Sequence, residues 1–329
     1  MRVLVTGATG FVGSAIVGEL STREHSVIAV GGPRSPLSPF IGKVEADYFQ
    51  IDVGDVASVK RLKTIGQVDG VIHAAGIAHR FGRVSPGEYQ RINVDGVQNI
   101  AEVAAALGSR RFVLVSSVLV YGRKGRTPGR AVIETDNCSP EDVYAQSKLD
   151  GEKAAISICG STGMPLTIVR PAPIVGEGSR GNFARLIRAI DKRRFLRVGR
   201  GENLKSLVYV GDVAEIVVDL MESSEADFEV YNLARDPIAV ENMIATISSR
   251  LGKSVWPVSI PGSILRAVFC SLKFSPLRSK AENLSATLET WLAEDIYSNR
   301  KLYEKYGLAP LTPVEDAISR EVESYLRGV

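Results

Sequence analysis

The stretch Met1-Arg2-Val3-Leu4-Val5-Thr6-Gly7-Ala8-Thr9-Gly10-Phe11-Val12-Gly13 decides the fold of this 329-residue chain. An apolar, β-branched run ends in three glycines spaced three apart, and an apolar helical pattern (Phe11, Ile16, Val17, Leu20) follows. Gly7 takes the tight turn after the strand, Gly10 admits a pyrophosphate to the backbone, and Gly13 lets the helix pack closely on the strand. The phosphates of a dinucleotide would then rest on the amides of a helix N-terminus. A second strand, Ser26–Val30, completes the unit.

Outward from this unit, apolar runs alternate with helical patterns at Arg2–Thr6, Ser26–Val30, Tyr48–Ile51, Gly70–Ala74, Arg111–Ser116 and Leu166–Arg170. Nearly continuous Val, Ile, Leu and Phe marks parallel strands covered on both faces. Repeated strand–helix units predict an α/β fold with a doubly wound parallel sheet of the Rossmann type. After Arg170 the rhythm breaks at a Pro/Gly-rich segment, and Phe183, Leu186, Ile187 and Ile190 then form one apolar helical stripe. Residues 1–170 are expected to form the dinucleotide-binding domain, with a returning segment over about 206–235 that holds the strands Leu207–Val210 and Glu229–Leu233. A smaller substrate lobe is expected from 171–205 and 236–329.

Composition narrows the function. With 45% hydrophobic and 23% charged residues, the chain can bury a large core and reads as a soluble protein. Forty basic against thirty-seven acidic side chains leave +3, too little to argue for nucleic acid or a membrane as partner. Any anionic ligand must be met by local groups. Cys138, Cys159 and Cys270 are odd in number and far apart, which fits a reducing compartment and neither a disulfide framework nor a zinc site, so no metal is expected. No apolar run is long enough for a bilayer and the first strand starts at once, so the expected location is cytoplasmic.

At the end of the second strand an acid would read the ribose of NAD, and an arginine would accommodate the 2′-phosphate of NADP. Here Gly31-Gly32 is followed by Arg34 and Ser35. NADP(H) is therefore the favoured cofactor, with NAD(H) as the alternative. Asp52, after the third strand, is placed to accept from the adenine amino group or to cap the next helix. Tyr144 and Lys148 stand four residues apart in Ser-Pro-Glu-Asp-Val-Tyr-Ala-Gln-Ser-Lys, on one helical face, with Ser139 expected as the cap and Pro140 in the first turn. A phenol of intrinsic pKa about 10 is a poor base near neutrality, and a neighbouring ammonium favours its phenolate. Ser117 follows an apolar strand at the C-terminal edge of the sheet, where its hydroxyl can hold a substrate oxygen or cap a turn.

These motifs, with Ser116-Ser117 ahead of Val120-Tyr121-Gly122, His73-Ala74-Ala75-Gly76 after the fourth strand and Arg91-Ile92-Asn93-Val94 beyond it, resemble an extended short-chain dehydrogenase/reductase. The similarity is to the branch of nucleotide-sugar epimerases, dehydratases and reductases. It implies a catalytic set of Ser117, Tyr144 and Lys148, the last two also touching the cofactor. It implies dinucleotide contacts from Gly7, Thr9, Gly10, Phe11, Val12 and Gly13, from Asp52 and Val53, from His73, Ala74, Ala75 and Gly76, and from Asn93. For a nucleotide-sugar substrate it points to Ser117, Asn182 and Lys205, where Lys205 takes the place of a diphosphate-binding arginine common in relatives. It also implies a homodimer built on the helix that carries Tyr144 and Lys148.

Departures from the family pattern narrow the activity. Val118 and Leu119 stand where sugar 4,6-dehydratases place an Asp-Glu pair, which argues against dehydration. Pro173 stands where many epimerases and dehydratases carry an asparagine that holds the diphosphate. The stretch from Arg170 to Asp212 is more similar to bacterial reductases of 4-keto-6-deoxy nucleotide sugars. The expected activity is therefore NAD(P)H-dependent reduction of a keto group on a nucleotide-activated sugar, a UDP-4-keto-6-deoxyhexose. A nucleotide-sugar 4-epimerase is the first alternative; a reductase of an apolar ketone and a non-catalytic NADP(H)-binding regulator are the others. The span Arg180–Lys205 holds nine basic residues, of which one or two are expected to grip a diphosphate.

Overall fold

Runs such as Val3-Leu4-Val5 and Phe112-Val113-Leu114-Val115 have no polar face, so the strands they form must be covered on both sides. In the computed structural model, which describes residues 1–33, 46–77, 84–179, 181–224, 228–255, 259–272, 285 and 287–328, they join one seven-stranded sheet. β1 (Arg2–Thr6) has β2 (Ser26–Gly31) and β3 (Ala46–Gln50) on one side. On the other lie β4 (Gly70–His73), β5 (Phe112–Val115), β6 (Leu166–Pro171) and the edge strand Glu229–Leu233. All neighbouring pairs are parallel. The strand order reverses between β1 and β4, which opens a crevice at the C-terminal edge of the sheet.

Helices cover both faces. Ile16, Val17 and Leu20 of the helix Phe11–Thr22 pack with Val213, Val217 and Leu220 of the helix Val210–Glu222 over Val3 and Val5. On the opposite face, Ile100 and Ala104 of the helix Gly96–Ala106 and Ala155 and Cys159 of the helix Val143–Thr162 cover Leu4, Phe112 and Leu114. A third apolar cluster lies apart from the sheet. It takes the expected stripe Phe183, Leu186, Ile187 and Ile190 of the helix Asn182–Asp191 against Ile244 and Ile247 of the helix Val240–Leu251 and Ile318 and Val322 of the helix Val314–Arg327.

Two local expectations change. Only Glu229–Leu233 of the returning segment enters the large sheet; Val208–Tyr209 pairs with Ile174–Val175 in a separate parallel ribbon and runs straight into the helix Val210–Glu222. The helix that carries Tyr144 starts at Val143 and is capped by Asp142, whose Oδ1 accepts from the Ala145 amide at 2.7 Å. Ser139 does not cap it, because its backbone is held by Tyr121, its amide donating to the Tyr121 carbonyl at 3.3 Å.

The first turn is as tight as its glycines imply. Gly7 has φ +70°, and a Cβ there would lie 2.6 Å from the Ala75 nitrogen and 2.7 Å from the Ala74 carbonyl oxygen. A Cβ on Gly13 would overlap the Gly7 carbonyl oxygen, whereas one on Gly18, a turn further along the same helix, would meet nothing within 4 Å. Gly13→Ala is expected to cost about 1–3 kcal/mol through overpacking. Gly18→Ala is expected to gain up to about 1 kcal/mol of helix propensity. Thermal unfolding of the two variants checks the contrast, with Tm falling in the first and level or rising in the second.

Candidate active site

Ser117 leaves β5 in extended backbone and opens the short 3-10 turn Val118–Tyr121, so its hydroxyl stands at the C-terminal edge of the sheet. The Oγ accepts from the Leu119 amide at 3.2 Å, so the hydroxyl caps the turn, and it also lies close enough to the Tyr144 phenol to act on its ionisation. Burial pushes the Tyr144 phenol up to about 12, and the Ser117 hydroxyl works against it. One turn along the helix, Lys148 is buried and its Nζ donates to the Val115 carbonyl at 2.7 Å. Burial draws its pKa down to about 8 although the Glu152 carboxylate nearby favours the ammonium. The group that lowers the Tyr144 pKa is Ser117, whereas the sequence led us to expect Lys148.

The loop after β4 closes the other side of the crevice. Asn93 is buried and clamps this loop to the Tyr144 helix: its Oδ1 accepts from the Ile77 amide at 2.8 Å, and its Nδ2 donates to the Ile77 carbonyl at 3.2 Å and to Ser147 Oγ at 2.9 Å. Gly76 lies against Asn93, and a Cβ there would come within 3.9 Å of Lys148 Nζ. His73 is fully buried, with Nδ1 2.9 Å from Thr6 Oγ1 and its ring stacked on Phe112. Asn93 and His73 therefore shape the loop from inside the fold.

The residues present fit a dinucleotide in this crevice. The helix Phe11–Thr22 has no side chain capping its N-terminus and no acid in its first turn, which leaves the amides near Phe11 and Val12 for an anion. Gly7, Ala74 and Ala75 bring the two crevice loops into contact. Asp52 lies in the loop after β3, where its Oδ1 accepts from Arg91 at 2.7 Å and from the Gly54 amide at 3.0 Å. It does not cap the next helix, Val56–Lys60, because Asp55 does. Val53 is buried against Gly96, and its carbonyl accepts from Asn99. Arg34 lies outside the described residues. Among the described residues no group of His, Cys, Asp or Glu side chains is arranged to hold a metal ion, and no helix is long and apolar enough to cross a membrane.

Of the three expected substrate residues, Asn182 and Lys205 stand in different surroundings from Ser117. Asn182 is exposed at the start of its helix. Lys205 is buried, its Nζ bonded to Asp295 at 2.6 Å and to the Thr290 carbonyl at 2.7 Å. A cavity of about 390 Å³ lies further out in the lobe, lined mainly by apolar groups such as Phe195, Val240, Ile244, Leu265, Leu288 and Trp291.

Other groups at the site escaped the sequence. Glu152, two percent exposed, accepts from Ser116 Oγ and from Arg170 Nε at 3.0 Å and Nη2 at 2.6 Å, and Arg170 stacks 4.8 Å above the Tyr121 ring. The Tyr48 hydroxyl is buried without a hydrogen-bond partner among the described residues, next to where a Gly31 Cβ would point and beside Thr9. Nothing local in the sequence marks either.

Comparison with known proteins identifies the family and the fold. The model of the NAD dependent epimerase/dehydratase family matches residues 3–234. A UDP-glucose 4-epimerase of Vibrio cholerae is 26% identical over 335 residues, covering 99% of this chain and 96% of its own length. An N-acetyl-α-D-glucosaminyl-diphospho-ditrans,octacis-undecaprenol 4-epimerase of Escherichia coli O157:H7 is 27% identical over 318 residues, covering 94% of this chain and 91% of its own. The solved structure of a UDP-glucuronic acid 4-epimerase from Bacillus cereus in complex with NAD covers 99% of both chains with a TM-score of 0.79 at 20% identity, a likeness of fold.

Burial first, and the charge of Lys148 second, hold the His73 pKa down to about 3. Below pH 6.5 the unfolded chain takes up a proton that the folded ring refuses until about pH 3, so stability is full above pH 6.5 and is lost as pH falls. His73→Gln should flatten this limb by up to about 1.4 kcal/mol per pH unit. Urea unfolding of both proteins at pH 7, 6, 5 and 4 reads the difference directly.

Proposed function

Because the chain belongs to the NAD dependent epimerase/dehydratase family, we propose that it is a nucleotide-sugar 4-epimerase that acts by reversible oxidation of a sugar hydroxyl. The observation that carries this reading is that the Ser117 hydroxyl acts on the Tyr144 phenol, with buried Lys148 one turn along the same helix, at the edge of a crevice that fits a dinucleotide. The two full-length relatives named above are both 4-epimerases, which favours this activity over the one-way keto reduction expected from the sequence.

Tyr144 in its phenolate form takes the proton of the sugar hydroxyl as the carbon is oxidised and returns it on reduction, which is general acid–base catalysis at one atom; because burial holds the phenol up to about 12, the Lys148 cation has to favour that form. Ser117 holds the same sugar oxygen and supports the charge that develops on it. Lys148, already close to losing its proton at mildly alkaline pH, offers a cation whose strength responds to the charge around it. The bound dinucleotide supplies reversible two-electron chemistry at the sugar carbon. Asn93 and Glu152 keep the loop and the helix in register while the proton moves.

A second reading, reduction of a 4-keto sugar with NADPH, is favoured by Gly31-Gly32 and Arg34 in place of an acid, and by a Lys205 whose ammonium is bound to Asp295. A homodimer through the Tyr144 helix fits both readings; Ile156, 42% exposed on that helix, is an apolar side chain such a contact would cover. The test of the chemistry is Tyr144→Phe assayed for interconversion of UDP-glucose and UDP-galactose. Turnover should fall by about 100-fold or more while dinucleotide affinity stays within about twofold. Undiminished turnover in the variant refutes the assignment of Tyr144.

A further inference from the structure

We infer that Arg123 and Arg126 form the subsite that receives the diphosphate of the substrate, on a floor made by Asp295 and Lys205. This rests on the nucleotide-sugar reading above. Three cations converge on one carboxylate. Arg123 Nε and Nη2 each meet an Asp295 oxygen at 2.9 Å, Lys205 Nζ does so at 2.6 Å, and Arg126 Nη1 at 3.4 Å. Three positive charges meet a single directly bonded acid, and although the Glu141 carboxylate also acts on Arg123 the cluster stays net positive. Such a surplus is costly away from water unless an anion joins it.

The layering of the cluster shows which cations face outward. The side chains of Asp295 and Lys205 are each 10% exposed, that of Arg126 is 17% and that of Arg123 is 31%. Lys205 has two of its three donors taken by Asp295 and the Thr290 carbonyl. Arg126 keeps a buried Nε with no partner among the described residues, while its Nη2 reaches the Tyr297 hydroxyl at 3.1 Å and its guanidinium lies 5.1 Å over the Tyr297 ring. That plane is fixed before any ligand arrives, and a planar fork is suited to two oxygens of a phosphate.

Position ties the cluster to the chemistry. Arg123 follows Ser117 by six residues, across the single turn Val118–Tyr121, and its amide donates to Glu141, three residues before Tyr144. The same loop thus carries the hydroxyl that holds a sugar oxygen and the arginines that would hold the phosphates. Lys205 offers a point charge and no planar fork, and Arg123 and Arg126 supply the fork from a different part of the chain.

A diphosphate ester reaches such a site from a nucleotide or from a polyprenyl carrier, so calorimetric titration of the full-length protein with UDP and, separately, with farnesyl diphosphate tests the subsite and its source. Arg126→Gln is the principal variant, because its contact to Asp295 is the longest of the three and its loss leaves the floor paired; Arg126→Lys and unchanged thermal unfolding control for the fold. Affinity for the diphosphate that the parent binds should fall at least tenfold in Arg126→Gln and recover in part in Arg126→Lys. Equal affinity in parent and Arg126→Gln overturns the subsite and leaves the Tyr144 assignment standing. Loss of UDP binding in the variant of a protein that turns over no nucleotide sugar supports the subsite and refutes the activity reading. Binding of neither diphosphate by the parent overturns both.

Discussion

The active site depends on a buried charge pair that takes no part in the chemistry. Glu152 enters the core on the helix that carries Tyr144 and Lys148, and Arg170 meets it from the end of β6 with two hydrogen bonds. Removing one partner of such a pair costs about 3–5 kcal/mol, because the other is left buried and unpaired. Here both ends are satisfied: Ser116 donates to Glu152, and Arg170 lies over the Tyr121 ring. Ser116 precedes Ser117 and Tyr121 closes the turn that Ser117 opens, so one ion pair fixes the Ser117 hydroxyl, the helix that carries Tyr144 and the strand end between them. Gly151 lets the helix come close enough, since a Cβ there would overlap the Asn93 carbonyl oxygen. The Glu152 carboxylate also supports the Lys148 ammonium against burial.

Much of this was legible in the sequence because it is local. Strand runs, the glycine turn and the Tyr144–Lys148 spacing are patterns within one or two elements, and the observed strands lie within two residues of the expected ones. What escaped depends on residues far apart in the chain. Asp295 meets Arg123 across 172 positions, and Glu152 meets Arg170 from a different element. Local competition caused the other misses. Ser139-Pro140 has the form of a helix start, but tertiary hydrogen bonding engages Ser139 and Asp142 caps the helix instead. Lys205 was expected to face a diphosphate, and only the fold reveals that a buried aspartate lies against it.

The same site geometry serves an epimerase and a reductase, and the difference between them is physical. An epimerase oxidises and reduces the same carbon in one visit, so its dinucleotide must stay; a reductase must release and replace it. The uncapped N-terminus of the helix Phe11–Thr22 and the contact between Gly7 and the Ala74–Ala75 backbone are common to both. At the end of β2 Gly31 lies against the Tyr48 hydroxyl, beside the place where the sequence led us to expect the choice of dinucleotide.

The measurement that decides is to denature the freshly purified protein, identify the released dinucleotide and compare its amount with the protein. The account predicts about one NAD per chain that does not exchange with added cofactor before denaturation. A protein that emerges empty and binds NADPH reversibly would contradict it and make the chain a reductase.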